Sequence, residues 1–268
     1  LVLMEMGNRN SDIKMLLACL LMVVTGTVSA QKMKLNHLTT FDEKRLHFGF
    51  TLGVNSLDFS VSNYALLKEN PQFASSNWKD YQNEVSPEKV VRADVAQLIP
   101  GFTVGIVSNL RLNRSLDLRF LPGMSFGERK LQYNLEVKDD LVTYSEPQYD
   151  YSIKSTFIDL PLLIKYKADR INNGRPYVIF GGAMRIDISK FASTDLVGLQ
   201  RDGYYAELGA GWDSYLQFFR LSVEAKVSLG LNNQLGPGPG QGTNQREYYT
   251  DALKSLRSNV FTLLFHFE

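Results

Sequence analysis

The sequence predicts an all-β fold, an antiparallel up-and-down barrel of eight strands with a polar, filled interior. Three observations lead to this prediction. Runs of alternating apolar and polar residues recur eight times along the chain, which is typical of strands with two different faces. The intervals between these runs alternate between long or medium and short. The polar positions carry many charges and glycines, whereas the apolar positions carry no charge.

A long polar stretch separates the first two predicted strands. Residues 46–58 begin L-H-F-G-F-T-L-G-V-N, in which every second residue is apolar. After the polar residues 59–96, the segment G-F-T-V-G-I-V-S-N-L-R-L predicts strand 2 over 97–112. A tight turn at 113–115 then leads into strand 3, which starts S-L-D-L-R-F and continues to residue 136.

The next three strands are separated by a tight turn and a medium loop. Strand 4 is predicted over 149–168, which contains F-I-D-L-P-L-L-I-K-Y-K. The turn at 169–175 contains N-N-G, a strong turn signal, and precedes strand 5 at 176–188. A loop over 189–202 leads to strand 6 at 203–215.

A short turn and a long loop flank the seventh strand. The turn near 217 precedes strand 7 at 219–231. The loop 232–257 contains G-P-G-P-G, which cannot hold regular structure, and strand 8 follows at 258–267. An even number of antiparallel strands, with short turns at one end and longer loops at the other, is the pattern of outer-membrane barrels. Both chain termini are then expected on the periplasmic side, with the short turns.

The apolar positions are predicted to face lipid. Representative residues are Phe48, Phe50, Leu52, Phe102, Val104, Leu160, Leu162, Phe180, Trp212, Val223 and Phe265. A secreted β-sandwich is the competing fold, because it also has several short alternating strands. A sandwich would leave the polar face in water, where glycine serves no purpose. A closed barrel of eight strands has room only for side chains, so inward glycines make space for larger neighbours.

The charged positions are predicted to form an interior charge network. Its members are Asp117, Arg119, Asp159, Lys165, Arg185, Asp187, Glu207, Asp213, Arg220, Glu224 and Lys226. Charges confined in a narrow interior must be nearly balanced and paired, because an unpaired charge is costly to desolvate. The six acids and five bases of this set come close to that balance.

Two further patterns concern the membrane boundaries. Aromatic residues gather at strand ends and are expected to form an interfacial girdle; they are Phe48, Tyr166, Tyr177, Phe218, Phe219, Phe265 and Phe267. Strands 3 and 4 run to about 20 residues, although about 9–11 suffice to cross a bilayer. Their surplus is expected to stand above the membrane as a hairpin, either with exposed edges that accept a partner strand or paired with the loop 59–96.

The N-terminus predicts secretion. Arg9 and Lys14 precede the apolar run 15–24, and small residues then favour cleavage before Gln31. The predicted domains are a signal peptide at 1–30, a short periplasmic segment at 31–45 and the barrel at 46–268. Cleavage would also remove Cys19, the only cysteine, and with it disulfides and thiol chemistry.

Enzymatic activity, cofactors and nucleic-acid binding have little support in the sequence. The formal net charge of +1 favours no acidic partner, and phosphate-binding loops are absent. His47 and His266 are predicted to lie on the inner face near the ends of adjacent strands. They either fill the interior with hydrogen bonds or form a two-histidine metal or proton site. No histidine falls at the predicted outer rim, so we expect no enzyme, no bound cofactor and no small-molecule substrate.

Three stretches resemble the PorT family of outer-membrane barrels. They are D-E-K-R-L-H-F-G-F-T-L-G-V-N-S-L-D-F at 42–59, F-I-D-L-P-L-L-I-K-Y-K at 157–167 and L-S-V-E-A-K-V-S-L-G-L at 221–231. The resemblance implies an accessory role in protein export by the type IX secretion system, with outer-membrane lipid and other secretion proteins as partners. It implies no catalytic residues. The alternative is a structural or adhesive barrel that is unrelated to secretion.

Overall fold

β-strands account for nearly all the regular structure in the described part of the chain. The structure, a computed structural model, describes residues 36–66, 69–71, 79–80, 83–84, 90–139, 142–145, 149–189, 198–236 and 253–268. A single 3₁₀ turn, η1 (Phe41–Glu43), precedes the strands of this described part. The strands are β1 Leu46–Asn63, β2 Lys79–Asp80, β3 Asn83–Glu84, β4 Val90–Leu98, β5 Pro100–Arg111, β6 Leu116–Phe120, β7 Gly123–Asp139, β8 Val142–Ser145, β9 Tyr149–Lys167, β10 Gly174–Asp187, β11 Asp202–Tyr215, β12 Arg220–Gly230 and β13 Leu253–Phe267.

Hydrogen bonding between the first and last strands closes the sheet into a ring. β1 pairs with β13 along one edge, where Thr51 lies opposite His266, and with β5 along the other, where Thr51 lies opposite Gly105. The ring runs β1, β5, β6 with β7, β9, β10, β11, β12 and β13, and neighbouring strands are antiparallel. β6 and β7 follow one another in the same position, so the ring has eight positions. The predicted eight-stranded antiparallel barrel is therefore confirmed.

Proline explains the interruption between β6 and β7. The break falls at Leu121 and Pro122, where the Leu121 amide donates to the Pro161 carbonyl at 3.2 Å. In an antiparallel ladder a residue offers its N–H and its carbonyl to the same neighbour. Pro161 has no N–H to offer. Pro161, which cannot donate a hydrogen bond, therefore lies opposite the break between β6 and β7. The ladder loses little at this position.

The polar stretch predicted as the loop 59–96 is partly strand. β1 continues to Asn63, and β4 occupies Val90–Leu98. β4 pairs with β7, from Val90 opposite Glu136 to Leu98 opposite Arg129. The surplus of the third predicted strand is thus paired on one edge with β4, and on the other with β9 up to Tyr133 and with β8 from Glu136. The prediction of a plain loop was wrong because V-V-R-A-D-V-A-Q-L does not alternate strictly.

A left-handed residue forms the tight turn between β9 and β10. Asn172 has φ of 53°, and the Ile171 and Gly174 backbones exchange two hydrogen bonds of 2.9 Å around it. Asparagine tolerates this backbone conformation better than most residues do. This turn lies at the same end of the barrel as the β5–β6 and β11–β12 turns, and we call that end the turn end. The opposite end is the loop end.

Inward glycines allow close approach of neighbouring strands. A Cβ atom on Gly181 would lie 2.3 Å from the Leu162 carbonyl oxygen, which is backbone and cannot easily move. The next residue, Gly182, faces outward, and the nearest atom to its added Cβ is the Tyr205 carbonyl oxygen at 3.6 Å. A side chain would therefore clash at Gly181, whereas Gly182 has room for one.

We expect Gly181→Ala to lower the free energy of unfolding by about 1–3 kcal/mol, because the added methyl overpacks the strand contact. Gly182→Ala is the matched control and should be neutral or stabilise by up to about 1 kcal/mol. Urea unfolding in detergent micelles, followed by tryptophan fluorescence, measures both variants. Equal urea midpoints for the two variants would contradict the assignment of inward and outward positions in β10.

The first 35 residues lie outside the described part of the chain. They comprise the predicted signal peptide, residues 1–30, and residues 31–35 of the predicted periplasmic segment. In the described part, no helix has the length and apolar character needed to cross a membrane.

Candidate functional site

The interior of the ring holds the eleven ionisable residues that the sequence predicted as a network. Each has at most 6% of its surface exposed. They are Asp117, Arg119, Asp159, Lys165, Arg185, Asp187, Glu207, Asp213, Arg220, Glu224 and Lys226. Their contacts form three clusters and two separate local contacts.

Asp213 of β11 lies at the centre of the first cluster. Lys165 of β9 donates to its two carboxylate oxygens at 2.8 and 2.7 Å, and the Ser222 hydroxyl donates at 2.6 Å. A guanidinium nitrogen of Arg220 lies 3.8 Å from the same carboxylate. Two cations and a hydroxyl thus compensate the burial of one carboxylate.

Glu224 of β12 organises the second cluster across the lumen. Arg119 of β6 donates to it at 2.6 Å, and the Tyr177 hydroxyl donates at 2.9 Å. β6 and β12 occupy opposite positions of the eight-membered ring, so the Arg119–Glu224 pair bridges the two walls. Arg119 also donates to the Asn109 amide oxygen at 2.7 Å, and its other terminal nitrogen lies 3.6 Å from Glu268.

The third cluster links four strands through Glu207. Lys226 donates to one of its oxygens at 2.8 Å, and Arg185 donates to the other at 3.1 Å. The Arg185 Nε atom lies 3.0 Å from Asp159, which accepts a further hydrogen bond from Ser125. The alternating charges therefore join the four strands β9, β10, β11 and β12, and the Ser125 hydroxyl attaches β7 to them.

The two remaining predicted members have local partners. Asp117 pairs with Lys167 at 2.6 Å near the turn end. Asp187 accepts the Ser189 backbone N–H at 2.8 Å near the loop end.

Sequence reasoning missed several interior residues. Tyr177, predicted for the aromatic girdle, is 3% exposed and places its ring 3.6 Å from the Lys165 ammonium, so that prediction was wrong. Tyr177 and Ile179 are two residues apart in β10 and therefore point to the same face, and Ile179 is also buried. Strict alternation along β10 would have placed Tyr177 in the interior. Arg129 is buried between Phe59 and Phe157, with its guanidinium 4.1 and 5.3 Å from the two ring centres. These cation–π contacts stabilise the buried charge, together with hydrogen bonds to the Ser155 and Ser258 hydroxyls.

Buried charges nearly balance in the described part of the chain. Seven carboxylates and eight cations are buried there; they are Asp117, Asp159, Asp187, Glu207, Asp213, Glu224 and the Glu268 side chain, with Arg119, Arg129, Lys165, Lys167, Arg175, Arg185, Arg220 and Lys226. A cavity lined by Thr51, Ser125 and Lys226, among others, has a volume of about 30 Å³. That is room for about two water molecules. The side chains thus fill the lumen at this level.

The two predicted interior histidines lie at different levels. His266 is fully buried and contacts the Thr51 hydroxyl through Nδ1 at 2.7 Å, while its Nε2 lies 3.4 Å from Glu224. His47 is half-buried, stacks on Phe41 and contacts the Lys44 carbonyl. Four residues of β1, about 13 Å, separate His47 from the level of His266. In the described residues, no three His, Cys, Asp or Glu side chains could hold a metal ion together.

Comparison with known sequences decides the class of this barrel. A family described as the outer membrane protein beta-barrel domain matches residues 29–236. The chain belongs to this family. A search of curated proteins gave no significant match. The crystal structure of the outer membrane protein OprG from Pseudomonas aeruginosa is similar, with 10% sequence identity, a TM-score of 0.35, and coverage of 83% of this chain and 91% of that chain.

Membership of the outer-membrane family explains the apolar outer face. Of the eleven residues predicted to face lipid, nine are at least 37% exposed in the isolated barrel, and Leu160 and Phe265 are partly exposed. The nine are Phe48, Phe50, Leu52, Phe102, Val104, Leu162, Phe180, Trp212 and Val223. An outward-facing apolar band of this kind is what an outer-membrane barrel presents to the hydrocarbon of the bilayer.

The residues before β1 cover the turn end of the outer-membrane barrel. The Asp42 carboxylate accepts from the Tyr215 hydroxyl at 3.0 Å and lies 3.4 Å from Arg175. Arg170 donates to the His37 carbonyl at 2.5 Å, and Arg111 donates to the Asp42 carbonyl. The segment 36–45 is therefore attached to the strand ends and turns that surround the mouth.

Proposed function

We propose that this outer-membrane barrel is an accessory component of the type IX secretion system, needed for the export of cargo proteins but not their conduit. The observation that carries the proposal is the resemblance of residues 42–59 to the start of the PorT barrel. These residues form the end of η1, at the turn end, and most of β1, which closes the ring. The filled lumen supports an accessory role, because a barrel of eight strands has no space for a polypeptide.

Orientation and partners form part of the same proposal. The turn end, with segment 36–45 and the C-terminal strand end, faces the periplasm, because outer-membrane barrels have short periplasmic turns. Other secretion proteins then contact the barrel from the periplasm or within the membrane. We propose no catalytic step. Thr51, His266 and Glu224 stand in the order of a nucleophile, a base and an acid, but Thr51 is only 3% exposed and His266 is fully buried.

Deletion of the gene tests the proposal. We expect cargo of the type IX system to disappear from the culture medium and to accumulate in the periplasm, with recovery when the intact gene is restored. Immunoblots of medium and periplasm measure this, and an unrelated outer-membrane protein serves as the loading control. Normal export in the deletion strain would exclude the secretion role.

A structural or adhesive role is the second candidate. At the loop end, β9 residues 149–155 pair with β7, whereas the register with β10 starts only at Phe157. Within the described residues, no strand pairs with the second edge of this segment. Such an edge can accept a strand from a partner. Unchanged export together with reduced attachment of the deletion strain to surfaces would favour this role.

A further inference from the structure

A basic cavity lies at the turn end, outside the interior network. Its volume is about 220 Å³, and it is lined by Asp42, Arg111, Arg114, Lys167, Asp169, Arg170 and Arg175. Five of these seven side chains are cationic. The β5–β6 turn, the β9–β10 turn and the segment before β1 bring them together.

The acids at this cavity do not neutralise its cations. Lys167 is paired with Asp117, and Arg175 shares Asp42 with the Tyr215 hydroxyl. Counting Asp117, three carboxylates face five cations, which leaves an excess of two positive charges. Arg114 pairs with the Asp169 carboxylate at 3.5 Å, and both side chains are at least 80% exposed. Such an exposed pair contributes little and is easily exchanged for a better acceptor.

Arg111, of the two arginines that hydrogen-bond to the segment before β1, has donors to spare. Arg111 donates from one terminal nitrogen to the Asp42 carbonyl. Arg170 uses four of its five N–H donors, on the Asn172, His37 and Leu38 carbonyls and the Asn173 amide oxygen. Within the described residues, both guanidinium groups hydrogen-bond to neutral oxygens. Each guanidinium carries five N–H donors, and its planar fork suits phosphate and carboxylate oxygens.

We propose that this turn-end cavity binds a phosphate monoester, and glycerol phosphate is a compact ligand with which to test it. A phosphate monoester carries a charge of about −1.5 to −2 at neutral pH, which matches the excess of two positive charges better than a single carboxylate does. The cavity is smaller than the roughly 300–1,000 Å³ pockets of drug-sized ligands, so it suits a compact anion. This proposal does not depend on the secretion role.

The group has two possible sources. A soluble glycerol phosphate could enter from the aqueous side. A lipid could supply the same headgroup, because Leu112 and Ile171, beside the cavity, are 58% and 65% exposed and continue the apolar belt to this level. The chemistry of the ligand is the same in both cases, so binding can be tested first and its source second.

Calorimetry on the full chain in detergent tests binding with soluble glycerol phosphate, and acetate serves as the control anion. We expect glycerol phosphate to bind at least about tenfold more tightly than acetate, and Arg114→Gln to weaken it about tenfold, because a hydrogen bond to a charged group is lost. Arg257→Gln removes the same charge from an exposed position of β13 near the loop end and should change nothing. Unboiled gel mobility must show that both variants are folded.

A second experiment, with lipid, shows whether the phosphate group comes from a lipid or from a soluble ligand. The barrel is placed in phosphatidylcholine nanodiscs with or without phosphatidic acid, whose headgroup is a phosphate monoester. Reduced binding of glycerol phosphate in the presence of phosphatidic acid indicates a lipid ligand, and unchanged binding indicates a soluble one. The proposal is overturned if glycerol phosphate binds no better than acetate, or if Arg257→Gln weakens binding as much as Arg114→Gln does.

Discussion

Asp213→Asn is expected to lower the free energy of unfolding of the barrel by about 3–5 kcal/mol, because it removes one partner of a buried ion pair. Lys165 donates both of its short hydrogen bonds to this carboxylate, and neither side chain is exposed. In the variant, a fully buried ammonium faces a neutral amide. Arg220 keeps its contact with Glu268, so the loss is concentrated on Lys165.

A double variant tests whether the loss of stability comes from the unpaired Lys165 ammonium or from the substitution of Asp213 itself. In Lys165→Met with Asp213→Leu, no unpaired charge remains at this contact, and the barrel should be markedly more stable than the Asp213→Asn variant. Asp169→Asn is the exposed control, since its partner Arg114 is also exposed, and should change stability by at most about 0.5 kcal/mol. Urea titration of the unboiled, fast-migrating gel band measures all three variants. If the single and double variants unfold at the same urea concentration, the carboxylate does not act by compensating Lys165.

Alternation was enough to predict which way most side chains point. Successive side chains of a strand point to opposite faces, so each strand has only two possible assignments of inward and outward residues. A charged residue such as Asp117 or Glu207 decides between the two. The charge must face inward because hydrocarbon cannot solvate it. This is why the strand count, the ring topology and the interior positions could be read from the sequence.

Pairing between interior charges could not be predicted in the same way. Arg119 meets Glu224 on the opposite wall, 105 positions along the chain, and this depends on the stagger of the strands around the ring. Sequence spacing carries no information on stagger. The contacts of segment 36–45 with Arg170 and Tyr215 were missed for a related reason, because they form between a chain end and turns that have no periodic pattern.

The opposing demands of the two faces explain the glycines in the β1 segment L-H-F-G-F-T-L-G-V-N. Phe48 and Phe50 face outward, while a Cβ on Gly49 would clash with the Phe267 carbonyl of β13. Bulk is therefore placed where lipid can accommodate it, and it is absent where β1 and β13 approach closely to close the ring. In a narrow barrel, glycine is part of the closure rather than a weakness of the strand.

Val104→Arg is expected to lower the free energy of unfolding by about 2–4 kcal/mol, because it places a charge on the lipid face at mid-membrane. Val104 lies on the outer face of β5, between Leu52 of β1 and Met124 of β7 in the register. Its neighbours cannot pair with a guanidinium, so the charge must reach an interface through hydrocarbon. Stability is measured by urea unfolding in lipid vesicles, and assembly by heat-modifiable gel mobility.

Leu112→Arg is the matched control for depth. Leu112 has the same parity as Val104 but lies eight residues further along, at the turn end, which corresponds to about 26 Å along the strand. Near the interface the same substitution costs only about 0–1 kcal/mol. A depth-dependent difference between the two variants is therefore the signature of a lipid-facing position, since a water-exposed face would accept both arginines equally. If Val104→Arg assembles and unfolds like Leu112→Arg, the outer face of β5 does not meet the bilayer core.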